Sequence, residues 1–253
     1  NSPLAQPWSV IGCNTLCAAI GALCGMFLPD PVWAGAAAVA LAIGAMFSAL
    51  EVVPLAMIGV EAYRNYQRSK AAPWVASYRW SILCFIAVGF WNVVGAGLLG
   101  FSINTPIALY YMQGLNMTAA HGHAALFGVY GMLGIGLLLF CLRGLSNRLA
   151  WSDRLLAIMF WTLNLGLAMM VCISLVPAGI YQAWASISQG LWFARSAEVV
   201  HSGFMESMVW LRVPGDIVFS VGVVCLALFA WRLFRGAAQT SADAVAIARP
   251  QRV

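Results

Sequence analysis

Charged residues are scarce in this sequence, and their scarcity excludes most water-soluble folds. Of its 253 residues, 8% are charged and 62% are hydrophobic. A soluble domain carries about 25% charged residues, so this chain has too few polar side chains to cover a water-facing surface. The net charge of +5 does not indicate a nucleic-acid partner, because the basic residues lie in short segments beside apolar runs. We therefore expect the lipid bilayer to be the solvent for most of the chain.

The seven cysteines lack the spacing of a metal or redox site. They all lie in apolar runs, none belongs to a Cys-x-x-Cys pair, and none has a histidine at metal-ligand spacing. Burial as small hydrophobic side chains accounts for them, and a disulfide framework is not expected.

Long apolar runs are what the chain does have. A spanning helix needs about 20 mostly apolar residues, and the sequence predicts about six of them. This makes the fold class all-α, a polytopic membrane helical bundle over residues 1–235, with short surface helices at 106–113 and 191–200 and a disordered tail at 236–253. The predicted spans are roughly 9–27, 32–63, 76–101, 117–143, 152–183 and 209–234.

The loops alternate in charge, which predicts their sides of the membrane. The segments 64–79 and 143–154 and the tail are basic, whereas 28–31, 102–116 and 184–208 are poor in positive charge. Basic loops face the cytoplasm, so we expect a multi-pass membrane protein with a cytoplasmic C-terminus; in a bacterium this would be the inner membrane. The span 117–143 then enters from the outer face.

His121 and His123 flank Gly122 near the start of that span. Residues two apart on an α-helix project about 200° from each other, so the two imidazoles cannot share one metal. They can hold two separate cofactors, one on each flank, and neutral imidazole is a common axial ligand of haem iron. The pattern favours a helix between two haems over two histidines buried in a core. The third histidine, His201, is predicted to lie at the surface.

Two further charged features in predicted spans need an explanation. Glu51 is expected near mid-bilayer, where a carboxylate costs several kcal/mol unless it is neutralised or paired. Proton delivery and metal ligation are the roles that this position indicates, and a protonated carboxyl bonded to a neighbouring helix is the alternative. Arg212 and Asp216 are four residues apart on one helix face. They fit an ion pair with each other or a contact between Arg212 and the carboxylates of a bound haem.

Taken together, these motifs resemble the large subunit of nitric oxide reductase, in its quinol-dependent form, a family of the haem–copper oxidase superfamily. The resemblance covers about residues 45–235. The stretches that carry it are 120–131 around the histidines, 47–55 around Glu51, 110–116 and 210–216.

The resemblance implies a redox enzyme with three metal groups. It implies that His121 binds the iron of haem b3, that His123 binds the iron of haem b, and that Glu51 lies beside a non-haem iron. The implied reaction is 2 NO + 2 e⁻ + 2 H⁺ → N₂O + H₂O, with nitric oxide as substrate and quinol as electron donor, as in denitrification. The oligomeric state stays open, a homodimer included.

The sequence also departs from that family. It has no adjacent pair of histidines for the non-haem iron, and no histidine precedes His121. About six spans are half of what the family uses, so we expect this chain to be the C-terminal half of a larger polypeptide, whose N-terminal half carries the missing ligands. The alternatives are a degenerate, non-catalytic membrane scaffold and a transporter in which Glu51 and the histidines couple protons.

Overall fold

Helices account for nearly all of the chain that the structure describes. The computed structural model describes residues 45–104, 106–145 and 151–247. The first helix, α1, is Ala45–Ser69, and the short α2, Pro73–Ser77, follows it. The remaining elements in chain order are α3 (Arg79–Asn104), α4 (Pro106–Met112), α5 (Asn116–Gly144), α6 (Asp153–Gln189), a 3-10 turn (Phe193–Arg195), α7 (Ala197–Val200) and α8 (Gly203–Ile247).

Four helices of the described ranges are long and apolar enough to cross a membrane. They are α3, α5, α6 and the Gly203–Gly236 part of α8, and they match the last four predicted spans. The predicted span 9–27 and the first part of 32–63 lie outside the described residues. The all-α membrane fold is confirmed, whereas the number of about six spans stays a prediction.

Three helix ends differ from the prediction because a helix continues until its backbone is interrupted. Helix α1 runs to Ser69, six residues beyond the predicted 63, and a proline at 73 begins the next helix. Helix α6 runs to Gln189 and stops at Gly190, whose φ of 98° favours glycine. The predicted disordered tail begins inside α8, which continues to Ile247 because the alanine-rich stretch after Arg235 has good helix propensity. Residues 248–253 lie outside the described part.

Spans that follow one another in the chain run antiparallel, and all four share one apolar core. Trp80 at the start of α3 donates its indole N–H to Asp153 at the start of α6, with 2.8 Å between the nitrogen and the oxygen. The basic segments therefore meet at one end of the bundle, and the start of α5 lies at the other. Buried side chains between the spans include Met132, Leu163 and Phe229.

Short π-helical stretches interrupt three of the spans. They are Asn92–Leu99 in α3, His123–Gly131 in α5 and Met170–Leu175 in α6. The first two contact each other in the bundle. Such stretches often occur at functional sites, and here one of them begins at a histidine singled out by the sequence.

Candidate haem-ligand site

Helix α5 carries both histidines, and neighbouring spans flank it on two sides. It contacts α3 through the first two π-helical stretches and α6 through its start. His121 and His123 are both half-buried. Their surroundings differ, because each ring turns to a different neighbour.

His121 faces α3. Its Nδ1 atom lies 2.8 Å from the carbonyl oxygen of Gly95. A Cβ built on Gly100 would lie 3.2 Å from the His121 Cε1 atom, so the ring lies against the glycine-rich face of α3. A carbonyl oxygen can only accept, so Nδ1 carries the proton and the lone pair is on Nε2. No residue in the described ranges forms a hydrogen bond with that Nε2 atom.

His123 faces α8. Its Nδ1 atom donates to the carbonyl oxygen of Ala119, one turn earlier in the same helix, at 2.8 Å. Its Nε2 atom lies 3.1 Å from Nη2 of Arg212, which donates to it. The two imidazoles therefore point to opposite flanks of α5, as the spacing of two residues predicts. Both hold the Nδ1–H tautomer.

Arg212 also forms the ion pair that its spacing predicts. Its Nε atom lies 3.4 Å from Oδ1 of Asp216, and the side chains are 35% and 46% exposed. The pair and the bond to His123 make a short polar chain on the α8 flank. A contact between Arg212 and haem carboxylates stays a prediction. His201, predicted at the surface, is exposed.

Glu51 lies on α1, inside the helix Ala45–Ser69 and three residues before Pro54. Its side chain lies outside the described part. Helix α1 packs against α3, the span that contacts His121. The roles predicted for Glu51 in proton delivery and iron binding stay predictions.

The residues around the two histidines can be tested for their fit to the two haems and the non-haem iron that the sequence resemblance implies. For each predicted haem the structure offers one imidazole whose Nδ1 proton is held by a main-chain carbonyl. This arrangement orients a metal-ligating histidine and leaves Nε2 as the atom that can bind the metal. His121 fits this arrangement as it stands, and His123 fits it once Arg212 releases Nε2. Among the described residues no three of His, Cys, Asp and Glu come together, so this part of the chain does not fit a non-haem iron.

Sequence reasoning missed the groups that hold the rings. Gly95 and Ala119 act through their carbonyl oxygens, which no side-chain pattern reveals. Gln182 was missed as well, although an amide side chain within an apolar run was a usable signal. It contacts the first residue of α5.

Two family models and a curated relative match this chain. The family model of cytochrome c and quinol oxidase polypeptide I matches residues 30–218, and the model of the HPP transmembrane region matches residues 1–57. A curated relative, a nitric oxide reductase subunit of Stutzerimonas stutzeri, is 30% identical over 202 residues. That match covers 76% of this chain and 40% of the relative, so the chain spans about two fifths of the relative's length.

The family match includes α3, α5 and α6 entirely, with both histidines, and also Arg212 and Asp216. The extent of that match and the four apolar helices lead to one conclusion. The chain is a multi-pass membrane protein, and it belongs to the cytochrome c and quinol oxidase polypeptide I family.

Proposed function

We propose that this chain is the haem-bearing part of a respiratory oxidoreductase of a bacterial inner membrane, which reduces nitric oxide to nitrous oxide with electrons from quinol. One observation carries the proposal: His121 and His123 leave α5 on opposite flanks, each with its Nδ1 proton on a main-chain carbonyl. The family membership and the name of the relative support a redox role.

In this proposal His121 holds haem b3 and His123 holds haem b. When bound, these groups supply the one-electron chemistry that amino-acid side chains lack. The Gly95 and Ala119 carbonyls contribute orientation, because each accepts the Nδ1 proton of one ring and so leaves the lone pair of that neutral ring on Nε2. An acceptor for the proton on the far ring nitrogen also makes the ligating nitrogen more basic.

Arg212 has to move for His123 to act as a ligand. The Nε2 atom has one lone pair, and it cannot accept from the guanidinium and bind iron at once. The nearby Asp216 gives Arg212 an anionic partner in either arrangement. The guanidinium would keep a positive charge at this flank, where it suits carboxylates of a bound haem.

The remaining parts of the proposed site rest on the sequence resemblance. Glu51, on the helix that packs against α3, is proposed to carry protons for the two-proton, two-electron reaction. The described residues supply no ligand set for a non-haem iron, so no step is assigned to that metal here. Quinol as the donor is supported by the resemblance of the stretch 47–55.

A haem assay on single-histidine variants tests the proposal. The full chain is purified from membranes and its haem is measured as the pyridine haemochrome. Two b-type haems are expected, and His121→Ala and His123→Ala should each remove about half of the haem. His201→Ala is the matched control, because that histidine is exposed and does not belong to α5.

Other results would contradict the proposal. A chain without haem would match a scaffold or a transporter instead. Loss of all haem in either single variant would contradict separate haems on the two flanks. Decylubiquinol and reduced cytochrome c, compared as donors for nitric oxide consumption by membranes, test the donor separately.

A further inference from the structure

Gln182 is a buried amide near the end of α6. Its side chain is 5% exposed. The Oε1 atom accepts from the backbone N–H of Asn116 at 2.9 Å and from the Asn116 Nδ2 atom at 3.0 Å. The Nε2 atom donates to the carbonyl oxygen of Ala194 at 3.2 Å. One side chain thus joins the start of α5, the end of α6 and the 3-10 turn after it.

Asn116 begins the histidine-bearing helix, and its N–H has no partner within that helix. The first N–H groups of any α-helix lack intrahelical acceptors, and a side chain at the N-cap normally accepts one of them. Here the N-cap is Leu115, which has no acceptor. Gln182 supplies the missing oxygen from a different helix.

A second contact reinforces this junction between the start of α5 and the end of α6. A Cβ built on Gly179 would lie 2.6 Å from the backbone nitrogen of Met117, so the backbones of α6 and α5 touch there. Gly179 and Gln182 are three residues apart and lie on one face of α6. Adjacent residues of α5 are therefore held by a backbone contact and by hydrogen bonds.

The surroundings of the junction are apolar. Leu115, Ala185, Ala194 and Val199 form a small buried cluster, and none of them is more than 4% exposed. Water does not compete for hydrogen bonds in such surroundings, so each bond holds the two helices more firmly than it would at a wet surface.

We infer that Gln182 is a positioning residue, which fixes the start of α5 and thereby the depth and rotation of His121 and His123. The two histidines follow Asn116 by between one and two helical turns. A rotation at the start therefore reaches both rings almost undiminished. The inference rests on the proposed function only where haem is used as the readout.

Hydrogen–deuterium exchange of the purified full chain in detergent tests the inference without haem. Gln182→Met keeps the volume and removes the amide, and amides 116–120 should exchange about tenfold faster, which corresponds to about 1.4 kcal/mol. Gln182→Glu keeps an acceptor oxygen for both Asn116 donors but loses the donor to the Ala194 carbonyl, so these amides should exchange more slowly than in Gln182→Met. Gln189→Met is the matched control, because Gln189 is an exposed glutamine of the same helix.

The absorption and electron paramagnetic resonance spectra of the bound haem form the second readout. Gln182→Met should shift them, and Gln182→Glu should restore them. Unchanged exchange at 116–120 in Gln182→Met overturns the inference, and so does an equal loss of protection in every span. Faster amide exchange at 116–120 with unchanged haem spectra also overturns the inference. In that case the start of α5 would not determine where the imidazoles of His121 and His123 lie. If the wild-type chain takes up no haem, the proposed function fails, and the exchange measurement alone decides the inference.

Discussion

Replacing Gly95 with alanine is expected to separate α3 from α5 and to weaken the support of His121. A Cβ at position 95 would lie 2.7 Å from the carbonyl carbon of Ala124 and 2.8 Å from its Cβ. The carbonyl carbon belongs to the backbone, so no change of rotamer relieves the contact. The carbonyl of the same residue, Gly95, accepts the His121 Nδ1 proton at 2.8 Å.

The size of the effect follows from these distances. Carbon atoms pack at about 3.5–4.0 Å, so reaching even the short end of that range requires the backbones to separate by about 0.8 Å. The same displacement would stretch the bond from His121 to Gly95 to about 3.6 Å, beyond hydrogen-bond range. Overpacking of this kind costs about 1–3 kcal/mol, and the lost bond adds about 1 kcal/mol.

Gly122→Ala is the matched control, since the same methyl group is added between the two histidines. No described atom lies within 4 Å of a Cβ built there. Alanine in a helix is favoured over glycine by about 0.5–1 kcal/mol, so this variant should be slightly more stable. Thermal unfolding in detergent measures both variants, and the haem spectra report on the His121 flank. A melting temperature of Gly95→Ala equal to or above that of wild type would refute the packing argument.

Three further substitutions are assayed by the same thermal unfolding. Ser186→Ala should raise stability by about 1 kcal/mol, because the buried hydroxyl of Ser186 has no partner among the described residues. Trp91→Phe should lower it by about 1 kcal/mol, because the indole N–H of Trp91 donates to Oδ1 of Asn164 at 2.8 Å. Adding Asn164→Leu should return part of that loss. Arg212→Met should lower stability by leaving the carboxylate of Asp216 without its ion pair in an apolar helix, and Asp216→Leu should restore it.

Each of these variants has a control elsewhere in the spans. Ser188→Ala removes an exposed hydroxyl, Trp161→Phe changes a tryptophan that is 66% exposed, and Arg232→Met removes an exposed guanidinium. All three controls should melt close to wild type. A lower melting temperature of Ser186→Ala would mean that the Ser186 hydroxyl has a hydrogen-bond partner. If the double variant at 91 and 164 melts no higher than Trp91→Phe, that result would argue against the hydrogen bond between Trp91 and Asn164. A double variant at 212 and 216 that melts lower than Arg212→Met would contradict the cost of an unpaired carboxylate.

The positions of the spans could be predicted because lipid imposes them. A helix that crosses a bilayer needs an apolar run, and α3, α5 and α6 lie where such runs lie. Hydropathy marks the apolar part of a helix and does not mark its ends. This is why α6 continues to Gln189, well past the predicted residue 183. The π-helical stretches were not predictable, because they depend on how neighbouring helices meet.

The site was predictable to the extent that it depends on one helix. The divergence of His121 and His123 follows from helical geometry alone. The contact of His123 with Arg212 joins residues 89 positions apart, and no local pattern indicates it. The same holds for Gln182 and Asn116, which are 66 positions apart. The haem roles of the histidines stay a prediction, as does the role of Glu51.

The acceptors of the two imidazole protons have a consequence for how the chain can change over generations. A side-chain acceptor is lost when one codon changes, whereas the oxygens that hold His121 and His123 belong to the main chain and are encoded by every residue type. Substitutions at 95 or 119 that preserve the helix paths therefore preserve the tautomers. The residues at these positions can therefore change while each neutral ring keeps its lone pair on the same nitrogen.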